Sequence, residues 1–170
     1  MVGMKLARHG SSNQGETMDP KKFEQIVNEV VSLQGRPIES RQCPDQYLGS
    51  IGDLLNEPKF PMRVPAKNRP EEPCVLMVLE SPHKDEFKDD PGPAKGLTGE
   101  LIRQHIAECI NVSGLEDYGL VLVNAIQHQC SLGSNTIVYR DRIFRAVWSS
   151  GGEEDLSLIH ISEPTRQAEI

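Results

Sequence analysis

Hydrophobic positions divide the chain into helix-like stripes, two uninterrupted apolar runs and polar connections. Asp19-Pro20 supplies an N-cap followed by proline at the first helical position. Phe23, Ile26, Val27, Val30, Val31 and Leu33 then recur at helical spacing until Gly35. A second, shorter helix is predicted over residues 46–56, with Tyr47, Leu48, Ile51, Leu54 and Leu55 on one side. Residues 74–79 (CVLMVL) and 120–123 (LVLV) carry no polar interruption and are rich in branched side chains, as in strands buried on both faces of a parallel sheet. Between these runs, residues 100–112 form an amphipathic stretch whose buried face is Leu101, Ile102, Ile106, Cys109 and Ile110. Residues 138–148 predict a further helix, punctuated by Gly151-Gly152.

The connections are polar. Residues 1–18 contain Gly and Ser and are expected to be disordered. Residues 35–44, 57–73 and 80–99 are rich in Pro, Gly and charge and read as loops. Strand, loop, helix, strand is a βαβ unit, which needs a parallel pair joined by a crossover. The expected fold is therefore α/β with an open parallel sheet, in one domain over residues 19–155.

The last residues, 156–170, read LSLIHISEPTRQAEI and resemble the translation of a transposase-type sequencing-library adaptor. Such a segment is set aside before fold reasoning. The natural sequence is then expected to stop near Asp155, C-terminally truncated, and His160 is given no role.

Composition narrows the function classes. The 170 residues hold 18 Lys+Arg against 25 Asp+Glu, a net charge of −7, which disfavours sequence-independent coating of nucleic acid but leaves room for a local basic groove. No apolar stretch is long enough to span a membrane or to serve as a signal peptide. Cys43, Cys74, Cys109 and Cys130 stand apart without a CxxC pair, as expected of reduced thiols in a cytoplasmic protein.

In open α/β sheets ligands bind beyond the carboxyl ends of the strands. The first apolar run leads into Glu80-Ser81-Pro82-His83, and the second into Asn124-Ala125-Ile126-Gln127-His128-Gln129. As neighbours, these strands would gather Glu80, His83, Asn124 and His128 around one crevice. The intervening DPGPAKGLTGE places Gly96 and Gly99 at the start of a helix, whose free N–H groups suit an anion.

This order of motifs resembles the uracil-DNA glycosylase superfamily. Leu79-Glu80-Ser81-Pro82-His83 stands where those enzymes carry G-Q-D-P-Y or G-E-A-P-G. Residues 91–99 (PGPAKGLTG) match their Pro/Gly loop, and Val121-Leu122-Val123-Asn124 matches their strand-terminal Asn. The resemblance covers residues 74–133 and implies a three-layer open parallel sheet, no cofactor and no metal. It also implies hydrolysis of the N-glycosidic bond of uracil or another damaged base in DNA, the base being flipped out of the duplex. Glu80 and His83 are then the catalytic candidates, Ser81, Asn124, Gly96 and Gly99 would bind the base, and Lys95 and His128 would bind phosphate. The partner is damaged or single-stranded DNA, or a nucleobase, with no membrane, and the protein would act as a monomer.

The sequence also departs from the family. Ser81 replaces the Asp of G-Q-D-P-Y, and Gly99 or Ala94 replaces the aromatic that stacks on the base. A later His-bearing loop is not visible before Asp155, so the chain alone is expected to be inactive. The alternative is a catalytically inactive module of the same fold that binds a nucleobase or nucleotide. A third, weaker class is a hydrolase with a metal held by His83, His128 and Asp85 or Glu86, although those spacings match no strong ligand signature.

Overall fold

The computed structural model describes residues 4–7, 18–31, 38–57, 60, 62–110, 114–131 and 136–152. Along them run β1 (Met4–Ala7), α1 (Pro20–Val30), β2 (Gln46–Ser50), α2 (Ile51–Asn56), β3 (Val64–Pro65), β4 (Cys74–Leu79), α3 (Leu97–Ile110), β5 (Gly119–Asn124) and α4 (Thr136–Val147). The strands form one five-stranded sheet in the order β1-β4-β5-β2-β3.

The two apolar runs become the central strands. β4 and β5 pair in parallel from Cys74 against Gly119 to Leu79 against Asn124. Every residue of β5 is buried, as a strand with neighbours on both edges and packing on both faces requires. The segment joining β4 to β5 contains α3, so the predicted βαβ unit is present.

The wholly parallel sheet is not. β1 runs antiparallel to β4, and β2 runs antiparallel to both β5 and β3. Only β4 and β5 are joined by a crossover that returns the chain to the same end of the sheet, and the result is a mixed α/β fold. The N-terminal stretch expected to be disordered contributes β1, and Met18 is buried; residues 1–3 and 8–17 lie outside the described residues.

Residues 46–56 do not form the single helix predicted. Gln46, Tyr47 and Leu48 extend along β5, and Gly49 turns the chain at φ +108°, where a side chain is disfavoured. Ser50 then caps α2 by accepting a hydrogen bond from the Asp53 N–H. Pairing with β5 overrides the helical pattern over its first five residues. By contrast, α1 starts where the sequence indicates, with Asp19 accepting from the Lys21 N–H and Pro20 in the first turn.

Three buried clusters follow from this arrangement. On one sheet face, Leu48, Val75, Met77, Leu120 and Leu122 pack with Ile51 and Leu54 of α2, Ile106 of α3, and Ala94. The other face gathers Tyr47, Cys74, Leu76, Val121 and Val123, with Val64 and Ala66 against them. Phe23, Ile26 and Val27 of α1 meet Ile143 and Val147 of α4 around Ile126 and Cys130. The described residues therefore show helices from one sheet face and a separate helical pair, rather than three demonstrated layers. The buried face of α3 also differs from expectation: Ile106 is inside, while Leu101 is 47 % exposed.

Among the described residues no helix is long and apolar enough to cross a membrane. The proposed adaptor-like segment, 156–170, lies outside the described residues.

Two glycines at the start of α3, Gly96 just before it and Gly99 in its first turn, differ sharply in tolerance. A Cβ on Gly99 would overlap the Ala94 carbonyl oxygen, whereas one on Gly96 would meet nothing. Gly99→Ala is therefore expected to cost about 1–3 kcal/mol through overpacking, and Gly96→Ala to stay within ~0.5 kcal/mol of wild type. Urea unfolding of both variants checks this; equal effects would contradict the packing described.

Candidate functional site

Because β4 and β5 run in parallel, both leave the sheet at the same end. The Ala125 N–H donates to Leu79 O at 2.8 Å and the Ile126 N–H to Glu80 O at 3.1 Å, so the ladder continues briefly past the strands. Beyond it lies a cleft of about 350 Å³. Ser81, His83, Asp85 and Glu86 form its wall on the β4 side, and Gly96, Leu97 and Thr98 at the start of α3 form another. Ser131 and Arg140 complete the lining.

Glu86 is the most perturbed carboxyl in this cleft. A single 3₁₀ turn, Lys84–Phe87, directs it inward, and the residue is only 6 % exposed. Its Oε1 accepts from the Ala94 N–H at 2.8 Å, and its carbonyl accepts from the Gly92 N–H at 3.0 Å. Burial pushes the carboxyl up to about 7, against the opposing pull of the Ala94 and His83 backbone and the Arg63 guanidinium. Arg63 also donates to the Gln46 side chain and to the Pro93 and Ala94 carbonyls, clasping the same loop from behind. Glu86 Oε2 and Ser131 Oγ are buried and have no hydrogen-bond partner among the described residues.

His83 and Asp85 stand together at the cleft. His83 Nδ1 is 3.2 Å from Asp85 Oδ2, and Asp85 Oδ1 is 2.7 Å from Lys88 Nζ. The hydrogen bond from Lys88, reinforced by the charges of Lys88, His83 and Lys84, holds the Asp85 carboxyl below its ordinary value. Asp85 is therefore a carboxylate at neutral pH, next to an imidazole that remains half-exposed.

Several residues expected at the crevice lie elsewhere. Residues in register on parallel strands share a sheet face, so Asn124 lies on the face of Leu79 and Leu122, while Glu80 follows on the opposite one. Glu80 does not line the cleft, and both of its carboxylate oxygens accept from Arg140. Its place at the cleft is taken by Arg140, which it holds. Asn124 is buried, and its Nδ2 is 3.5 Å from Cys43 Sγ, so its amide is not presented to the cleft. Burial raises the Cys43 thiol to about 12, which rules it out as a thiolate nucleophile.

His128 departs furthest from expectation. It is fully buried and stacks on Phe23 with ring centroids 4.6 Å apart, so it is a core residue rather than a phosphate ligand. Burial lowers it to about 4, leaving a neutral imidazole without charge for an anion. Lys95 is exposed, but its Nζ is tied to the Lys88 and Asp90 carbonyls at 2.7 and 2.6 Å. Lys95 and Gly99 line a separate groove with Phe60, Arg63 and Arg103; Gly96 borders both hollows. Of the predicted site residues, Ser81, His83 and Gly96 thus meet at the cleft.

Among the described residues no group of three or more His, Cys, Asp or Glu side chains is placed to hold a metal, and His128 is not assembled with His83. No known protein family, no curated protein and no solved structure matches the chain.

The sequence offers Glu86 only as an alternative metal ligand and gives Ser131 and Arg140 no role. Lys84–Lys88 reads as a solvated charge run, and only the phase of the 3₁₀ turn separates buried Glu86 from exposed Lys84. Arg140 reads as ordinary helix surface until Glu80 is seen to hold it.

Glu86 and His128 drive the pH dependence of stability in opposite directions. Folding raises Glu86 from 4.5 to about 7, so its contribution is complete below pH 4.5 and lost as pH rises through 7. Folding lowers His128 from 6.5 to about 4, so stability is present above pH 6.5 and lost as pH falls through 4. Each effect is on the order of 3 kcal/mol at its limit. Relative to wild type, Glu86→Gln is expected to become more stable from pH 5 to 7.5, and His128→Leu from pH 7 to 4.5. Urea unfolding across that range checks both signs; pH-independent differences would contradict them.

Proposed function

We propose that the chain is a hydrolase of N-glycosidic bonds, acting on uracil or another damaged base in DNA through a uracil-DNA glycosylase-like domain. The observation that carries this is the His83–Asp85 pair beside buried Glu86 on one wall of a cleft, at the shared end of parallel strands β4 and β5. The order β4, ESPH, Pro/Gly loop, α3, β5 supports it, since both loops approach the cleft from that end.

In this mechanism the Asp85 N–H donates to His83 Nδ1 at 3.3 Å, so the neutral imidazole carries its proton on Nε2 and can give it to the departing base. The water oxygen bonds to the anomeric carbon as the C–N bond breaks, the Asp85 carboxylate takes the proton that water loses, and the base departs with the electron pair of that bond and the Nε2 proton. The Asp85 charge favours the cationic sugar that develops. Glu80 acts one step removed, holding Arg140 at the rim. The protein would work in the cytoplasm as a monomer, without a cofactor.

A second reading, a module that binds a base without cleaving it, is favoured by the lack of a Phe, Tyr or Trp among the described residues lining the cleft. Such a ring contributes ~1–3 kcal/mol of stacking per base. Single-turnover assays on oligonucleotides containing uracil, hypoxanthine or a mismatch separate the two. Hydrolysis predicts alkali-labile sites from at least one substrate, reduced ~10²-fold or more by His83→Gln. Absence of such sites from all three would overturn it, and binding to abasic-site duplex without cleavage would assign the module instead.

A further inference from the structure

A groove of about 630 Å³ shares Gly96 with the cleft but is otherwise lined by different residues, among them Phe60, Arg63, Lys95, Arg103 and Gln104. Its charge runs against that of the chain. Arg63, Lys95 and Arg103 stand against one carboxylate in the lining, Glu100, a surplus of two positive charges in a protein whose net charge is −7. Other cations carry carboxylate partners: Arg41 has Glu39, Lys88 has Asp85, Arg140 has Glu80 and Arg145 has Asp141. Among the described residues none of the three groove cations is so paired; Glu86 attracts Arg63 but is not part of the lining.

The two guanidiniums are placed for a ligand. Arg63 is pinned, Nη1 donating to Gln46 Oε1 and Pro93 O at 2.8 Å each and Nη2 to Ala94 O at 3.0 Å. Three of its five N–H donors are thus committed, leaving Nε–H and one on Nη2. Arg103, half-buried, donates from Nη1 to Leu54 O at 3.4 Å and keeps its other donors. Their guanidinium carbons lie 5.1 and 5.7 Å from the centroid of the same Phe60 ring, so two like charges converge on one apolar surface. Such charges repel until an anion joins them. Burial also works against the Arg63 charge, a cost that an anion offsets.

We infer that this groove is a second binding site, distinct from the cleft, for a phosphate monoester. The dianion balances the surplus of two charges, and its oxygens suit a pair of guanidinium forks. A carboxylate or an internal phosphodiester brings a single negative charge and leaves half of the surplus. The volume falls in the range of ~300–1,000 Å³ typical of small-ligand pockets, so the phosphate carries an organic body, with Phe60 as its apolar support. A free small ester and the 5′-phosphorylated end of a nucleic-acid strand present the same group. The inference does not require the hydrolytic reading of the cleft.

The test is calorimetric titration of the whole chain at about pH 8, where a phosphate monoester, with a second pKa of ~6, is dianionic. Phenyl phosphate is expected to bind roughly tenfold more tightly than its monoanionic diester, methyl phenyl phosphate. Arg103→Gln should weaken phenyl phosphate roughly tenfold, and Gln104→Glu, at an exposed helix position that spares the fold, by a similar factor. No binding of phenyl phosphate, equal binding of the diester, or an affinity that both variants leave intact would overturn the inference. Weakening by Arg140→Gln but not by Arg103→Gln would place the anion in the cleft and overturn it as well. Displacement of phenyl phosphate by a 5′-phosphorylated oligonucleotide, but not by its 5′-hydroxyl counterpart, supports a strand end as the source; displacement by neither supports a free ester. Equal displacement by both means that internal diesters suffice, which contradicts the proposal. None of these readouts depends on excision, so failure of either reading leaves the other standing.

Discussion

The hydrogen bond from the Ala94 N–H to the Glu86 carboxyl joins the turn after β4 to the loop before α3, and the cleft exists between them. It is an expensive bond to maintain, because Glu86 has been taken out of water with only one of its oxygens satisfied. Arg63 offsets part of that cost through its charge, while its guanidinium fastens Pro93 and Ala94 from the opposite side. The left-handed conformation of Ala94, at φ +53°, is the backbone consequence of being held from both directions. A chain selected for stability alone would place an apolar side chain here.

The sheet gives this loop its location. Parallel pairing of β4 with β5 delivers both strand ends to one side, and the antiparallel neighbours β1 and β2 enclose that pair without adding further crossovers. The same pairing sorts side chains by parity. Glu80 and Asn124 are one register step apart in the ladder, and that step sends their side chains to opposite faces. One becomes the anchor for Arg140 on α4; the other is buried beside Cys43. The division of labour among acidic residues follows: Glu80 positions a cation, Asp85 remains ionised beside an imidazole, and Glu86 is neutral or charged according to its surroundings near pH 7.

Long, uniform patterns were legible in the sequence. The apolar runs at 74–79 and 120–123, the Asp19-Pro20 helix start and the helix between the central strands all correspond to elements of the structure. Short patterns misled: Tyr47, Leu48 and Ile51 fit a helix as well as a strand that turns at Gly49 and yields to a helix, and only pairing with β5 decides between them. The antiparallel edges were invisible because strand direction is a tertiary property. At the site, the location beyond the strand ends and the presence of Ser81, His83 and Gly96 could be read in advance. The roles of neighbouring residues could not, because face, phase and burial distinguish Glu80, Asp85 and Glu86 while their chemistry is nearly the same. His128 makes the point in reverse: a histidine in a polar-looking segment stacks on Phe23 within the core.

The most direct measurement of the central claim is a carbon-detected NMR titration of the Glu86 side-chain carboxyl in the folded protein. A buried carboxyl held by the Ala94 N–H and otherwise unsatisfied is predicted to titrate near pH 7. A midpoint at the ordinary value of 4.5 would mean that water reaches both oxygens, and it would contradict the buried cleft wall on which this account depends.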